Sequence, residues 1–352
     1  MQNNSIYIRI NGKGNAWPVF LGTEHPFYSK NNYENLSNSS YSIISFKGKE
    51  IQKNSINWEI LIDAGHGIIQ YLIKNHNRIP EAVFLTHSHI DHTLGIDWLI
   101  QSYYRTNNYK LYPVYATKLC WGTTLQSFPH LAQMVDFNEL IPGELCKISQ
   151  TKGLSVIPFP VFHGEASFGS VMLAFFTETK NSEQKKVVIS GDLLCPLLRK
   201  NDYNILSNPA LLIADANNRF PYPKCNHWSI SDIISEEKND EFKQWKEKLE
   251  LPYMINTHLR NNKNTVIHNY FNTFLEEQYK NKDLIFNVFD FAKRISPKNV
   301  MLVHYSGKED DKYYNQPQLS EKELIRWVNE QKVLKNINSE FIIPDVGYYF
   351  GL

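Results

Sequence analysis

The sequence predicts an α+β protein in which sheets and helices stack in layers. Two observations carry this. Short apolar segments of strand length, bounded by Gly, Asn, Ser and Pro, recur through the chain. Between them lie segments whose apolar residues return at helical spacing.

Residues 5–10 alternate as a strand and run into the glycine loop Asn11-Gly12-Lys13-Gly14-Asn15. Residues 28–40 are rich in Asn and Ser and read as a loop. Strands follow at 41–46 and 58–62, the second ending at Asp63-Ala64-Gly65-His66-Gly67. Residues 68–75 read as a helix, and 82–85 as a buried strand that delivers Thr86 and His87. Residues 94–104 then carry apolar side chains at helical spacing. Further strands are expected at 112–116, 154–159, 170–177, 186–190 and 211–215.

The stretch from 229 to 285 has another texture: charged, Asn-rich helices at 229–250 and 266–280 flank a short apolar strand at 252–256. It reads as a helical insertion or cap on a single domain spanning residues 1–352. A helix at 284–294, a strand at 300–303 ending on His304 and an amphipathic helix at 321–335 complete the order.

With 352 residues, 42% of them hydrophobic, the chain can bury a core without disulfide or metal staples. Its 37 basic and 36 acidic residues nearly cancel, whereas a protein that grips many phosphates of a long nucleic acid carries a basic excess. Long nucleic acid is therefore not the expected partner. Cys120, Cys146, Cys195 and Cys225 stand far apart with no C-x-x-C pair, which argues against a zinc ribbon or a dense disulfide framework. Residues 1–5 lack the basic start of a signal peptide, and no apolar run approaches the ~20 residues of a membrane span. The expectation is a cytoplasmic enzyme with no membrane partner, a homodimer being left open.

His87, His89, Asp91 and His92 fall within six residues at the end of an apolar strand. Borderline metals such as zinc take imidazole and carboxylate ligands held in fixed geometry. A strand-end loop can aim alternate side chains at two neighbouring points, His87 and His89 at one metal, Asp91 and His92 at another.

The run Thr86-His87-Ser88-His89-Ile90-Asp91-His92 resembles the H-x-H-x-D-H motif of metallo-β-lactamase-fold hydrolases. Leu61-Ile62-Asp63-Ala64-Gly65 is similar to that family's strand-end aspartate motif, and Val161-Phe162-His163-Gly164 to its single-histidine motif. Ile189-Ser190-Gly191-Asp192 resembles the Gly-Asp motif, and the segment from Pro297 to His304 the closing histidine motif. The resemblance implies an αββα sandwich, two mixed β-sheets flanked by helices. It also implies two divalent metal ions, zinc or manganese. His87, His89 and His163 would ligate the first; Asp91, His92 and His304 would ligate the second, with Asp192 between them. Asp63 would support the ligand loop by hydrogen bonding. His258 is the alternative closing histidine, since it also follows an apolar segment; His304 is favoured by the helix and Pro-Lys turn before its strand.

Gly12-Lys13-Gly14-Asn15-Ala16-Trp17-Pro18 is similar to the opening turn of ribonuclease Z-like enzymes and their small-substrate relatives, with Lys13 where a threonine is usual. His227 stands where such enzymes place an extra histidine, before 229–231, a plausible helix start. Asp91 and His227 are thus the candidate catalytic residues, His227 by protonating a leaving oxygen. The resemblance implies a phosphodiesterase acting on a small or cyclic nucleotide-like diester. A hydroxide bridging two metals ~3.5–4 Å apart would attack phosphorus in such a site. The alternatives are a lactonase, a β-lactamase-like carbonyl hydrolase or an endoribonuclease. From another class comes a metal- or ligand-binding protein without turnover.

Overall fold

The computed structural model describes the chain apart from residues 1–3, 30, 49–50, 165–166, 178–183, 233–235, 250, 261–262 and 281–282, and apart from the side chains of 4, 253, 254, 257 and 258. The chain divides into two compact units. The first comprises Met1–Leu140, Lys147–Leu154 and Pro344–Leu352; the second comprises Ile141–Cys146 and Ser155–Ile343.

The first unit is built on one mixed sheet. Its strands are β1 (Asn4–Gly12), β2 (Ser40–Lys47), β3 (Ile56–Ile62), β4 (Ala82–Phe84), β5 (Tyr112–Ala116), β6 (Val135–Glu139) and the C-terminal β15 (Tyr349–Gly351), ordered β15-β1-β2-β3-β4-β5-β6. From β15 to β3 the neighbours are antiparallel; β3 to β6 are parallel. Parallel neighbours need crossovers, supplied by α1 (Ile68–Asn75), the short α2 (Ile90–Thr93) with α3 (Ile96–Thr106), and α4 (Lys118–Ser127). In α3, Ile96, Leu99 and Ile100 face the core with Leu61, Val83 and Val114 from the strands, the spacing that makes a helix one-sided.

Nearly all of the other mixed sheet belongs to the second unit. Its strands are β7 (Cys146–Lys147), β8 (Leu154–Phe162), β9 (Val171–Thr177), β10 (Lys185–Ile189), β11 (Cys195–Pro196), β12 (Leu211–Asp215), β13 (Asn299–Val303) and β14 (Glu340–Ile342). The order is β11-β8-β9-β10-β12-β13-β14, with β10, β12, β13 and β14 mutually parallel. α5 (Lys200–Leu206) and α9 (Val288–Ile295) link these strands, α9 capped by Asn287, whose side chain accepts from the Asp290 amide. After β13 come α10 (Lys308–Tyr314) and α11 (Glu321–Leu334), the latter opened by a Ser320–Glu323 capping box.

The insertion is helical throughout its described elements: α6 (Glu236–Glu247), α7 (Leu251–Arg260) and α8 (Thr265–Phe274), with one π-helical turn at Leu275–Tyr279. Two expectations are corrected here. Residues 252–256 form part of α7 and not a strand, because Leu251, Ile255 and Leu259 at i, i+4, i+8 build a one-sided apolar face that joins the insertion's own core. The helix expected from 229 does not include residues 229–232, where Ser229 instead bridges Asn218 and Asn287; the described helix is α6, Glu236–Glu247. Phe242, Tyr270, Phe271 and Phe274 complete that core, packed with Leu194, Cys195 and Cys225. Among the described residues, no helix is long and apolar enough to cross a membrane.

Candidate metal centre

Polar chemistry collects where the parallel strands end, the edge of an α/β sheet that loops leave open to ligands. In the first unit β3 and β4 pair in register, Ile62 opposite Phe84, so their following residues meet. The Asp63 amide donates to Phe84 O at 2.9 Å. Asp63 is buried with φ +58, a left-handed conformation that few side chains adopt and that collects at functional sites. This turn aims its carboxylate at the next loop. Oδ1 accepts from the Thr86 amide at 2.8 Å, and Oδ2 accepts from Thr86 Oγ1 at 2.7 Å. The same Oδ2 lies 2.8 Å from His92 Nδ1.

A carboxylate on Nδ1 makes that nitrogen the protonated one and puts the ligating lone pair on Nε2. The His87 ring lies 4.8 Å from His89 and 4.1 Å from His92, centroid to centroid, and His92 Nε2 lies 3.5 Å from Asp91 Oδ2. The loop thus gathers His87, His89, Asp91 and His92. Gly65 lets the strand-end loop pass beneath it: a Cβ there would stand 1.6 Å from Asp91 O.

The second unit repeats the arrangement. β10, β12 and β13 run parallel in register, so the loops leaving Ile189, Asp215 and Val303 emerge side by side. Asp192, Asp215, His227 and His304 each place a ligand-type atom within 4.8 Å of the others. His304 Nε2 lies 3.1 Å from Asp192 Oδ2, and His163 Nε2 lies 4.0 Å from the same oxygen. His163 Nδ1 is held by the Asn226 carbonyl at 2.7 Å, which again turns Nε2 into the ligand atom. His304, like Asp63, sits at a strand end with positive φ, +65.

Asp215 escaped the sequence reading, although its strand Leu211–Asp215 was expected. It is buried; Oδ2 lies 2.8 Å from His227 Nδ1 and accepts from the Leu193 amide at 3.2 Å. Oδ1 lies 3.7 Å from His304 Nδ1. The signal was available: an apolar strand ending on Asp, as at Asp63. His227 is fixed from behind by the bridge from Ser229 to Asn218 and Asn287, not by a helix start. Its ring lies 4.8 Å from His163 and 4.9 Å from His304. His258 lies on α7, and its side chain is outside the described residues.

Buried imidazole and carboxylate donors, with Nδ1 of His92, His163 and His227 each facing an oxygen, are the donor chemistry that zinc and similar divalent ions take. The residues fit such ions.

A family profile described as a beta-lactamase superfamily domain matches residues 58–222. The fold is similar to that of a diphosphatase from the PhnP family, at 14% identity over 100% of this chain and 98% of that one, with a TM-score of 0.60. It is also similar to the metallo-β-lactamase fold protein YhfI from Bacillus subtilis, at 14% identity over 99% and 100% of the two chains, TM-score 0.57. A third likeness is to unliganded yeast PDE1, at 14% identity over the whole of both chains, TM-score 0.50. No curated protein matches the sequence. The class is the metallo-β-lactamase αββα fold, two mixed sheets flanked by helices.

Proposed function

We propose that this protein is a metal-dependent phosphodiesterase acting on a small or cyclic nucleotide-like diester. The observation that carries the reading is the pair of buried carboxylates at strand ends, each holding an imidazole by Nδ1: Asp63 with His92, Asp215 with His227. One such pair suits a ligand, the other a proton donor.

In this reading His87, His89 and His163 hold one divalent ion, Asp91, His92 and His304 a second, and Asp192 serves both. Bound there, the ions would supply Lewis-acid polarisation of the phosphoryl oxygens and an activated water. The chain's own residues do the rest. Asp63 keeps His92 in one tautomer and orientation. Asp215 holds the Nδ1 proton of His227, stabilises the imidazolium and leaves Nε2 to deliver a proton to the leaving oxygen. The near-neutral charge of the chain favours a small diester over a long polyanion. The structurally similar PhnP-family protein is a diphosphatase, which supports a reading of phosphorus–oxygen chemistry on this fold. The α6–α8 insertion, whose core includes Leu194 after Asp192 and Cys225 before His227, is read as a cap that shapes substrate choice.

The test is a panel of phosphodiesters, bis-p-nitrophenyl phosphate and cyclic nucleotides among them, set beside a chromogenic lactam and a lactone, with zinc- or manganese-loaded protein. Turnover of diesters and not of the carbonyl substrates is the expected result. The reverse pattern would overturn the assignment.

A further inference from the structure

Between β1 and β2 the chain makes a turn that the metal loop does not use. Its root is firmly held. The Gly14 amide donates to Ser37 O and the Ser39 amide to Gly14 O, both at 2.9 Å, and Asn38 Nδ2 donates to Asn15 O at 2.6 Å. Its far end is plugged into the protein by His25, Phe27 and Tyr28, all buried, the Phe27 amide donating to His25 Nδ1 at 3.1 Å. The ammonium of buried Lys13 lies 5.3 Å from the Phe27 ring.

Between these anchors the tip turns outward. Trp17, Phe20 and Leu21 are 65%, 50% and 102% exposed. The tip is a defined turn: the Thr23 amide and hydroxyl both donate to Phe20 O, at 3.0 and 2.8 Å, around Gly22 at φ +82. Three large apolar side chains are thus exposed within five residues of one ordered turn, denser than the scattered single exposures of an ordinary surface.

The root lies one contact from the metal-ligand loop. Asn38, bonded to Asn15, also accepts from the His66 amide at 2.8 Å. Gly65, beside His66, passes against the Asp91 backbone. The Tyr33 ring, itself exposed, lies 6.2 Å from His66. Trp17 is only two residues beyond Asn15, a reach of roughly 7 Å. The turn thus springs from residues bonded to the supports of the ligand loop.

We propose that the turn carrying Trp17 and Phe20 is a specificity element that stacks on the nucleobase of the substrate. This rests on the phosphodiesterase reading and deepens it. Bases stack on aromatic faces with little sequence preference, so the element selects nucleosides over other esters without choosing among bases.

The test compares adenosine 5′-monophosphate with ribose 5-phosphate, which has the phosphate and sugar but no base, as ligands of the metal-loaded full chain. Calorimetry on the Trp17→Ala/Phe20→Ala variant should show nucleotide binding weakened by roughly 5- to 150-fold, with ribose 5-phosphate unchanged. Trp17→Phe, which keeps an aromatic face, should retain most of the nucleotide affinity. Nucleotide should quench part of the wild-type tryptophan emission, and Trp17→Phe should abolish that part. Equal weakening of both ligands, or no change in either, overturns the proposal. A wild type that hydrolyses diesters but binds nucleotide and ribose 5-phosphate alike overturns the stacking element and leaves the phosphodiesterase reading standing. A wild type that neither binds phosphate esters nor hydrolyses diesters overturns both.

Discussion

Asp63→Asn is the sharpest probe of the metal loop. The substitution keeps the shape of the side chain, and Asn tolerates the left-handed backbone at φ +58 better than other residues do. Donor and acceptor balance changes instead. Three donors face the carboxylate: the Thr86 amide at 2.8 Å, Thr86 Oγ1 at 2.7 Å and His92 Nδ1 at 2.8 Å. An amide has one accepting oxygen. If that oxygen stays on the Thr86 amide, the NH2 meets His92 Nδ1 and drives the imidazole proton to Nε2, the atom that must ligate. If the amide turns round, its NH2 meets the Thr86 N–H and two donors clash. A hydrogen bond to a charged group contributes about 1.5–3 kcal/mol, and loss of such an orienting partner weakens metal binding roughly 10- to 100-fold. The two ranges agree, since each tenfold is about 1.4 kcal/mol. Competition against a chelating dye reads the affinity, and ¹⁵N NMR of the His92 ring reads the tautomer. A variant that binds metal within about twofold of wild type would refute this reasoning. So would lost affinity with the Nδ1 proton still in place.

His227→Ala should leave bound metal unchanged and lower kcat on a diester roughly 10²- to 10⁴-fold, the usual range for a general acid. Asp215→Asn should fall in the same direction, and a leaving group that needs no proton should recover much of the loss in both. Behind the strand end, buried Arg9 and Glu59 pair at 2.5 Å, with Ser42 donating to Glu59 at 2.7 Å. Glu59→Gln should cost about 3–5 kcal/mol in urea unfolding, because the remaining buried charge loses its partner, while Arg9→Met with Glu59→Leu should recover most of it. Burial, helped by nearby Arg9, holds His76 below its ordinary 6.5, where its Nε2 meets Tyr349 OH at 2.9 Å. A depressed base stabilises the fold in its neutral form, so its contribution is complete above 6.5 and is lost as pH falls below it. Melting of metal-free protein between about pH 7 and about pH 5.5 should therefore drop more steeply for wild type than for His76→Phe.

What could be read in advance was local and periodic. Helix α1 matches its expected bounds, 68–75, because Ile68, Ile69, Tyr71 and Leu72 bury one face. The ligand run from His87 to His92 was legible because its residues are adjacent in sequence. Helix α7 was misread because residues 252–256 alone look like a short apolar run; only the longer spacing of Leu251, Ile255 and Leu259 shows the helical face. Strand β15 depends on pairing with β1, far away in sequence, and no local pattern announces it. Asp215 was missed for a similar reason. Its importance lies in the parallel register that sets β12 between β10 and β13, beside His227 and His304. That register is a property of the folded sheet.

Metal dependence of diester hydrolysis tests the central claim most directly. Purified protein loaded with zinc or manganese should hydrolyse bis-p-nitrophenyl phosphate, lose the activity on chelation and regain it when metal returns. Asp192→Ala, which removes the carboxylate beside His304 and His163, should fold with wild-type circular dichroism, bind less metal and turn over no diester. Hydrolysis that survives both chelation and Asp192→Ala would contradict the account.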